Sequence, residues 1–421
     1  MTPHCTLFPQ KQRQICHIFF FICCFFFPGY HSMARELTPG AGIILAAPEG
    51  EILFEKNATR QFIPASTIKV FTALTALKYL GENFHFTTDF LLDKHLNLKI
   101  RGQGDPLLTS REIRTVSTHI KKILQKNHIS HIQQIMVDGS AFKKGIVIPG
   151  TGGSKNPYDA PVGALSANFN TISFKTTGPK SGGDAPPAAG SATPWISAEK
   201  ETPLVPFARE IIAGAGMKSG RIPLAHGTQA LYAGHLFTWF LEKEGIKTEK
   251  TITMAEVNAG DRLMFAWRSP YDLRQVVAKL LYYSNNFMAN QLFLTLALKQ
   301  EGAPATLEKG IKVAMAHAAS LGIKDLFIEE GSGLSRQNRI SPRSMLRILQ
   351  AFKPHHGLMR YEKNEYYKTG TLQGVRTRCG YFQNRQGELY PFVIMVNQEN
   401  KGYEKIKKKL QKIVREWKIK G

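Results

Sequence analysis

A serine hydroxyl attacks a carbonyl only if a neighbouring base takes its proton, and a lysine is such a base only while it is neutral. Ser66 and Lys69 stand three positions apart at the opening of an apolar-periodic stretch. On a helix that spacing puts both side chains on one face, one turn apart. Two more short motifs follow, Ser284-Asn285-Asn286 and Lys368-Thr369-Gly370. Burial lowers a lysine's proton affinity, and so does a second cation; Lys368, if brought close, is that cation. The positive end of a helix at Ser66 favours the negative charge that develops there. Lys368 and Thr369, on an edge strand, would offer an ammonium and a hydroxyl to a substrate carboxylate. The N–H groups of Ser66 and Thr371 would then form an oxyanion hole. Ser284 would relay a proton to a leaving amine, and Asn286 would hold a substrate amide. The chemistry is acyl transfer through a covalent serine ester.

Each motif alone is weak. The chain holds a second set in the same order: Ser140 with Lys143, Ser166-Ala167-Asn168, and Lys218-Ser219-Gly220. Context separates the two. Ser66 opens a stretch in which Ile68, Phe71, Leu74, Ala76 and Leu77 share a helical face until Gly81 stops it. Ser140 runs into Lys-Gly-Ile-Val-Ile-Pro-Gly, which cannot continue a helix.

The elements that must position these residues lie at both ends of the chain. Residues 42–47 and 51–54 read as strands around Pro48-Glu49-Gly50. Residues 271–283 and 287–299 read as amphipathic helices separated by the Ser284 motif, and residues 307–321 as another. Strands are expected at 365–372, 376–382 and 389–396. The helix at 403–417 carries Ile406, Leu410, Ile413, Val414 and Trp417 on one face and lysines and Arg415 on the other. That helix reads as core-packing with a solvated basic face, the alternative being a helix lying on a membrane surface. Between the two ends, residues 86–265 change character. Helices are expected at 111–126 and 231–244, a strand at 134–137, and a Gly/Pro/Ala-rich loop without core-forming power at 178–194. The fold class is therefore α/β (α+β), one antiparallel sheet built from both ends and packed against helices. Residues 35–85 plus 266–421 form the catalytic domain, and 86–265 one or more inserted smaller domains.

The chain has 421 residues, 43% of them apolar, and a formal charge of +23. That charge suits an anionic partner, with membrane surface or wall polymer as candidates. Nucleic acid is set aside, because the basic residues are dispersed and no nucleic-acid motif occurs. Lys11 and Arg13 precede an apolar run at 15–27, Pro28-Gly29 breaks it, and Ser32-Met33-Ala34 is a small-x-small site. Residues 1–34 thus read as a secretory signal peptide, placing the mature chain outside the cytoplasm, in the periplasm or secreted. An uncleaved anchor and a start at Met33 are the alternatives. Four of the five cysteines fall in that leader, and only Cys379 remains, so neither a disulfide framework nor a cysteine metal site is expected. The 13 histidines lack metal-binding spacing. No cofactor or metal is implied.

At these motifs the chain resembles the D-alanyl-D-alanine carboxypeptidase/endopeptidase family, the class C low-molecular-mass penicillin-binding proteins (peptidase family S13). Further similar segments are Gly104-Asp105-Pro106, the stretch from Asp159 to Ser166, Gly331-Ser332-Gly333-Leu334-Ser335, and Lys368 through Val375. Glu330 departs from the family pattern, where many members carry Asp. The resemblance implies a penicilloyl-serine transferase (β-lactamase/transpeptidase-like) fold with domains inserted between the first two motifs. It implies Ser66 as acylated nucleophile, Lys69 as base, Ser284 and Asn286 as the second motif, and Lys368, Thr369 and Gly370 as the third. It implies peptidoglycan peptides ending in D-Ala-D-Ala, or crosslinked through D-Ala, as substrates, and β-lactams as covalent inhibitors. Asp159 reads either as a contact for the substrate's peptide side chain or as a loop cap before Ala-Pro. A serine β-lactamase and a non-catalytic wall-binding protein with a relic site are the alternative functions.

Overall fold

The computed structural model describes residues 40–176, 192–194, 219–249 and 251–417. The 1–34 leader and the 178–191 part of the expected loop lie outside them. In chain order, β1 (Gly42–Ala46) and β2 (Ile52–Lys56) form a hairpin, and a 3-10 turn (Ala65–Ile68) runs into α1 (Lys69–Leu80). Then come β3 (His85–Leu92), β4 (Leu98–Gly102), α2 (Ser110–Lys126), β5 (Ile135–Asp138), β6 (Thr171–Thr176), β7 (Ala192–Pro194), β8 (Ser219–Pro223), α3 (Gln229–Lys243), β9 (Ile252–Met254) and β10 (Arg262–Asp272). Helices α4 (Leu273–Tyr283), α5 (Asn286–Glu301), α6 (Leu307–Ser320) and α7 (Pro342–Phe352) follow. The last elements are β11 (Arg360–Tyr361), β12 (Glu365–Leu372), β13 (Val375–Gln383), β14 (Leu389–Val396) and α8 (Glu404–Trp417).

The first sheet has the order β11-β12-β13-β14-β1-β2, with β1 antiparallel to β14. It is the expected antiparallel sheet joining both ends of the chain. Every residue of β1 and β14 is buried, because both faces are covered. Alternation along β1 sends Ile44 to a core shared with Phe71, Val277, Leu292 and Leu349 of the helices. It sends Ile43 and Leu45 to the opposite core, shared with Ile406, Leu410, Ile413 and Val414 of α8. Burying each of those α8 side chains is worth about 1.5–3 kcal/mol. The apolar face of α8 is therefore spent on the sheet, and the membrane-surface alternative for that face is set aside.

The strands of a second sheet, β10-β3-β4-β5-β9, and of a third, β7-β6-β8, all come from residues 85–272. Helices α2 and α3 supply Ile113, Ile120, Leu236 and Phe237 to their core. The chain passes from the first sheet and its helices into the second sheet through β3 and returns through β10, and these two strands pair antiparallel side by side. The Leu273 N–H donates to the Phe84 carbonyl at 2.8 Å where they meet. A long detour therefore ends next to where it began, and α4 starts beside the end of α1. Asp272 caps α4 by accepting from the Gln275 N–H at 2.7 Å.

One local expectation is corrected. Residues 192–194, read as the end of a loop, form β7 and pair with Phe174–Thr176 at a sheet edge. Edge pairing draws on backbone groups, which the small-residue composition does not reveal, and Pro194 is tolerated on an edge strand. Helix α7 has an apolar stripe through Met345, Leu346, Leu349 and Phe352 and had no counterpart in the sequence reading.

Candidate active site

The nucleophile turn is held from three directions. Ala65 adopts a left-handed backbone (φ 46°), a conformation that disfavours a residue with a Cβ. The Pro64 carbonyl just before it accepts from the Thr67 hydroxyl at 2.7 Å and from the Thr377 hydroxyl of β13 at 2.7 Å. Gly370 of β12 lies against this turn so closely that a Cβ there would sit 2.7 Å from the Pro64 oxygen and 2.9 Å from the Ser66 nitrogen. The glycine of the third motif thus serves the close approach of β12 to the serine. On the other side, Gly333 (φ 82°) lies so close that a Cβ would fall 1.9 Å from the Ala65 oxygen.

Lys69, the first residue of α1, is fully buried. Its Nζ lies 2.8 Å from Ser66 Oγ, 2.7 Å from Asn286 Oδ1 and 2.6 Å from the Ser332 carbonyl oxygen. None of these three is a carboxylate. Burial, and then the Lys368 ammonium, hold its pKa well below the ordinary lysine value, while Glu330 pulls weakly the other way. A neutral amine has two hydrogens and one lone pair. With the hydrogens donated to Asn286 Oδ1 and the Ser332 carbonyl, the lone pair is left facing the Ser66 hydroxyl. That is the arrangement of a base poised to activate a nucleophile.

The second motif spans a helix-to-helix junction. Ser284 ends α4 in a left-handed conformation (φ 55°), and Asn285 caps α5 by accepting from the Met288 N–H at 2.9 Å. That turn points Ser284 to Lys368 and Asn286 to Lys69. Lys368 Nζ donates to Ser284 Oγ at 2.6 Å and to the Thr369 carbonyl at 2.7 Å. Burial brings the Lys368 pKa down to about 8. Its cross-strand neighbour is Cys379, whose thiol burial pushes up to about 12, so that sulfur stays protonated and unreactive. Strand β12 has a free edge from Lys368 onward, since β11 pairs only with Tyr366 and Tyr367.

A cleft of about 920 Å³ opens over these groups. Ser66, Ser284, Asn286 and Thr371 line it, with Arg336 and Arg376 further along. Thr369 contributes its carbonyl to Lys368, and Gly370 lies beneath against the serine turn. Asp159 also lines the cleft. Its Oδ2 accepts from the N–H groups of Gly152 (3.3 Å) and Ser154 (3.0 Å), a loop cap, while its buried Oδ1 has no hydrogen-bond partner. The competing motif set goes elsewhere: Ser166 and Asn168 are buried among Gly163, Ser110 and Tyr232 as structural hydrogen-bonders. Two contacts escaped the sequence reading, the Ser332 carbonyl and the Thr377 hydroxyl. Glu330 was noted there only as a departure from the family pattern, with no role. Among the described residues no cluster of His, Cys, Asp or Glu could hold a metal ion.

Fold and site together define an active-site serine hydrolase that works through an acyl-enzyme. The profile of the D-Ala-D-Ala carboxypeptidase 3 (S13) family matches residues 34–364 and 360–417, and the chain belongs to that family. Its activity is that of a serine-type D-Ala-D-Ala carboxypeptidase. It is 23% identical to the D-alanyl-D-alanine carboxypeptidase DacB of Haemophilus influenzae, over 87% of either chain. It is also 23% identical to a D-alanyl-D-alanine carboxypeptidase of an Actinomadura species, over 85% of this chain and 77% of that one. The crystal structure of penicillin-binding protein 4 from Haemophilus influenzae superposes with a TM-score of 0.70 at 21% identity, covering 89% of this chain and 94% of that one.

Proposed function

We propose that Ser66 is the acylated nucleophile, Lys69 its base, and Ser284, Asn286, Lys368, Thr369, Gly370 and Thr371 the remaining machinery. The neutral Lys69 amine takes the Ser66 proton as Oγ attacks the D-alanyl carbonyl carbon. The oxyanion is met by the N–H groups of Ser66 and Thr371. The proton passes through Ser284 to the substrate nitrogen, the C–N bond breaks, and D-alanine leaves. Water, deprotonated by Lys69, then cleaves the Ser66 ester and restores the hydroxyl. Charged Lys368 and the Thr369 hydroxyl receive the substrate's C-terminal carboxylate. In a β-lactam the broken C–N bond lies in a ring, so no leaving group departs and the ester on Ser66 persists. The observation that carries this reading is the placement of Lys69 Nζ, 2.8 Å from Ser66 Oγ in full burial with only neutral acceptors.

The substrates on this reading are peptidoglycan peptides ending in D-Ala-D-Ala or crosslinked through D-Ala. The unpartnered Asp159 Oδ1 favours a further contact, with an amine on the peptide side chain. Residues 1–34 act as an export signal, residues 86–265 as an inserted unit, and the mature enzyme works outside the cytoplasm. The chain's net positive charge suits a peripheral contact with anionic wall polymer or the membrane surface. Among the described residues no helix is long and apolar enough to cross a membrane. The test is intact mass spectrometry after exposure to penicillin, followed by peptide mapping. One adduct on the Ser66 peptide is expected; an adduct elsewhere, or none, overturns the assignment. Rapid nitrocefin turnover in place of a lasting adduct would make the protein a β-lactamase.

A further inference from the structure

We propose that Glu330 is a positioning residue of this active site: by anchoring residues 331–335 it sets the Ser332 carbonyl on Lys69 and so aims the amine at Ser66. The inference rests on the assignment of Lys69 as base.

Glu330 is fully buried, and its carboxylate collects six donors. Oε2 accepts from the Ser332 N–H (2.7 Å), the Ser332 hydroxyl (2.6 Å) and Asn290 Nδ2 (3.1 Å). Oε1 accepts from the Gly333 N–H (2.7 Å), Asn338 Nδ2 (2.9 Å) and the Ser335 N–H (3.2 Å). None of the six donors is a cation. A carboxylate, which accepts at both oxygens, suits such a ring of donors. The loop therefore wraps around this side chain, with three of its N–H groups turned inward. Its carbonyls are left to face the nucleophile helix. Gly331 O accepts from the Thr72 hydroxyl at 2.7 Å, and Ser332 O accepts from Lys69 at 2.6 Å.

The Ser332 carbonyl matters because it fixes the rotation of the amine. Asn286 Oδ1 holds one hydrogen, but the C–N bond of lysine still turns. A second acceptor is needed to keep the lone pair, and not a hydrogen, on Ser66. Glu330 also acts through space. The charged groups that bear on Lys69 are Lys368, which opposes its ammonium form, and Glu330, which favours it; Ser66, Asn286 and Ser332 contribute neutral dipoles. One carboxylate thus sets the aim of the base and adds a smaller pull on the pH at which it becomes available.

The test compares acylation rates by a fluorescent penicillin across pH for the full chain and its variants. Labelling of the parent reads the assignment of the site by itself; the ratio of variant to parent reads this inference. Glu330→Gln keeps the size but removes the charge and turns an amide toward inward-facing N–H groups. Its acylation should fall about 100-fold, the scale of an ångström's misplacement of a reacting group. The acid limb of its residual activity should move to lower pH, because Lys69 loses its proton more readily without a negative neighbour. Glu330→Asp, which retains the charge, should recover most of the rate and return the limb to the parent position. Thr72→Val removes the second anchor of the loop without altering charge, and should slow acylation with the limb unmoved. A Glu330→Gln enzyme with the parent rate, or slowed with an unmoved limb, overturns the inference. If that variant does not fold, Thr72→Val decides, and parent-like acylation there overturns it.

Discussion

Two of the protein's buried lysines, Lys69 and Lys99, lie in different sheet regions and are treated oppositely. Lys99, on β4 of the inserted region, is 5% exposed and meets Asp261 Oδ2 at 2.9 Å, with the Glu256 carbonyl at 3.2 Å. It is a closed ion pair, and its charge is spent on holding the loop before β10 to the sheet. Lys69, beside the sheet of the catalytic framework, is fully buried and meets only neutral acceptors. With no carboxylate partner, burial and then the Lys368 ammonium lower its hold on the proton. The same side chain is an ion-paired clamp in one region and, on the reading proposed above, a base in the other, and the difference lies in what the fold puts next to it.

Changes at the framework should strike chemistry and spare stability, while changes at the inserted pair should do the reverse. The largest effect is expected from Ser66→Ala, which should abolish both penicillin labelling and D-alanine release; release persisting in that variant would mean another nucleophile. Lys69→Met should slow acylation about 10³-fold, within the range for loss of a positioned base, yet leave the melting temperature unchanged or higher, since no buried carboxylate loses its partner. A drop in stability as large as the drop in rate would erase the contrast. Next in size is the pH dependence of kcat/KM. Activity should rise as Lys69 loses its proton and fall as Lys368 loses its own near pH 8. The sign follows from the roles: Lys368 attracts a carboxylate only below its pKa, and Lys69 accepts a proton only above its own. Lys368→Arg, whose charge survives past pH 8, should lose the alkaline limb; an unchanged limb would assign it to another group. The smallest effect on chemistry is expected from Lys99→Met. Acylation by the folded enzyme should stay within about twofold, whereas unfolding should become easier by about 3–5 kcal/mol because Asp261 is left buried and unpaired. Thermal or urea unfolding beside a labelling assay checks both halves.

Helix α5 shows how the two regions are joined. Asn286 reaches Lys69, and Asn290 reaches Glu330 and the Gly331 N–H. Gln291 donates to the carbonyls of Gly163 (2.9 Å) and Gly104 (3.3 Å), at the base of the inserted region. One turn and a half of helix thus registers base, loop and insertion against one another. The sequence motif covers only the first of these contacts.

Much of the framework was legible from pattern. The strands at 365–372 and 389–396 fall where the β-rich composition and the Asn-Arg-Gln-Gly turn put them, and the apolar faces of α1, α4 and α8 follow helical spacing. The inserted region was less so. β3 and β10 are far apart in sequence, and nothing in either alone says that they pair. The residues singled out for their side chains come together in two hydrogen-bonded sets, Lys69 with Ser66 and Asn286, and Lys368 with Ser284. The contacts made by backbone were illegible. Any residue has a carbonyl, so the part played by Ser332 O depends on where its loop is held and not on the serine. Thr377 sits in a strand that reads as ordinary sheet, and its bond to Pro64 appears only once β13 lies beside the nucleophile turn.

The sequence by itself determined the reagents: a hydroxyl and an amine three positions apart, two further motifs, and strands at both ends that must share a sheet. Local spacing and side-chain type are enough for that, because helical and strand periodicity are short-range properties. The tertiary structure decided that Lys69 would meet only neutral acceptors and Lys99 a carboxylate. A lysine's proton affinity is set by the dielectric and the charges around it, and those neighbours come from segments that only folding brings together.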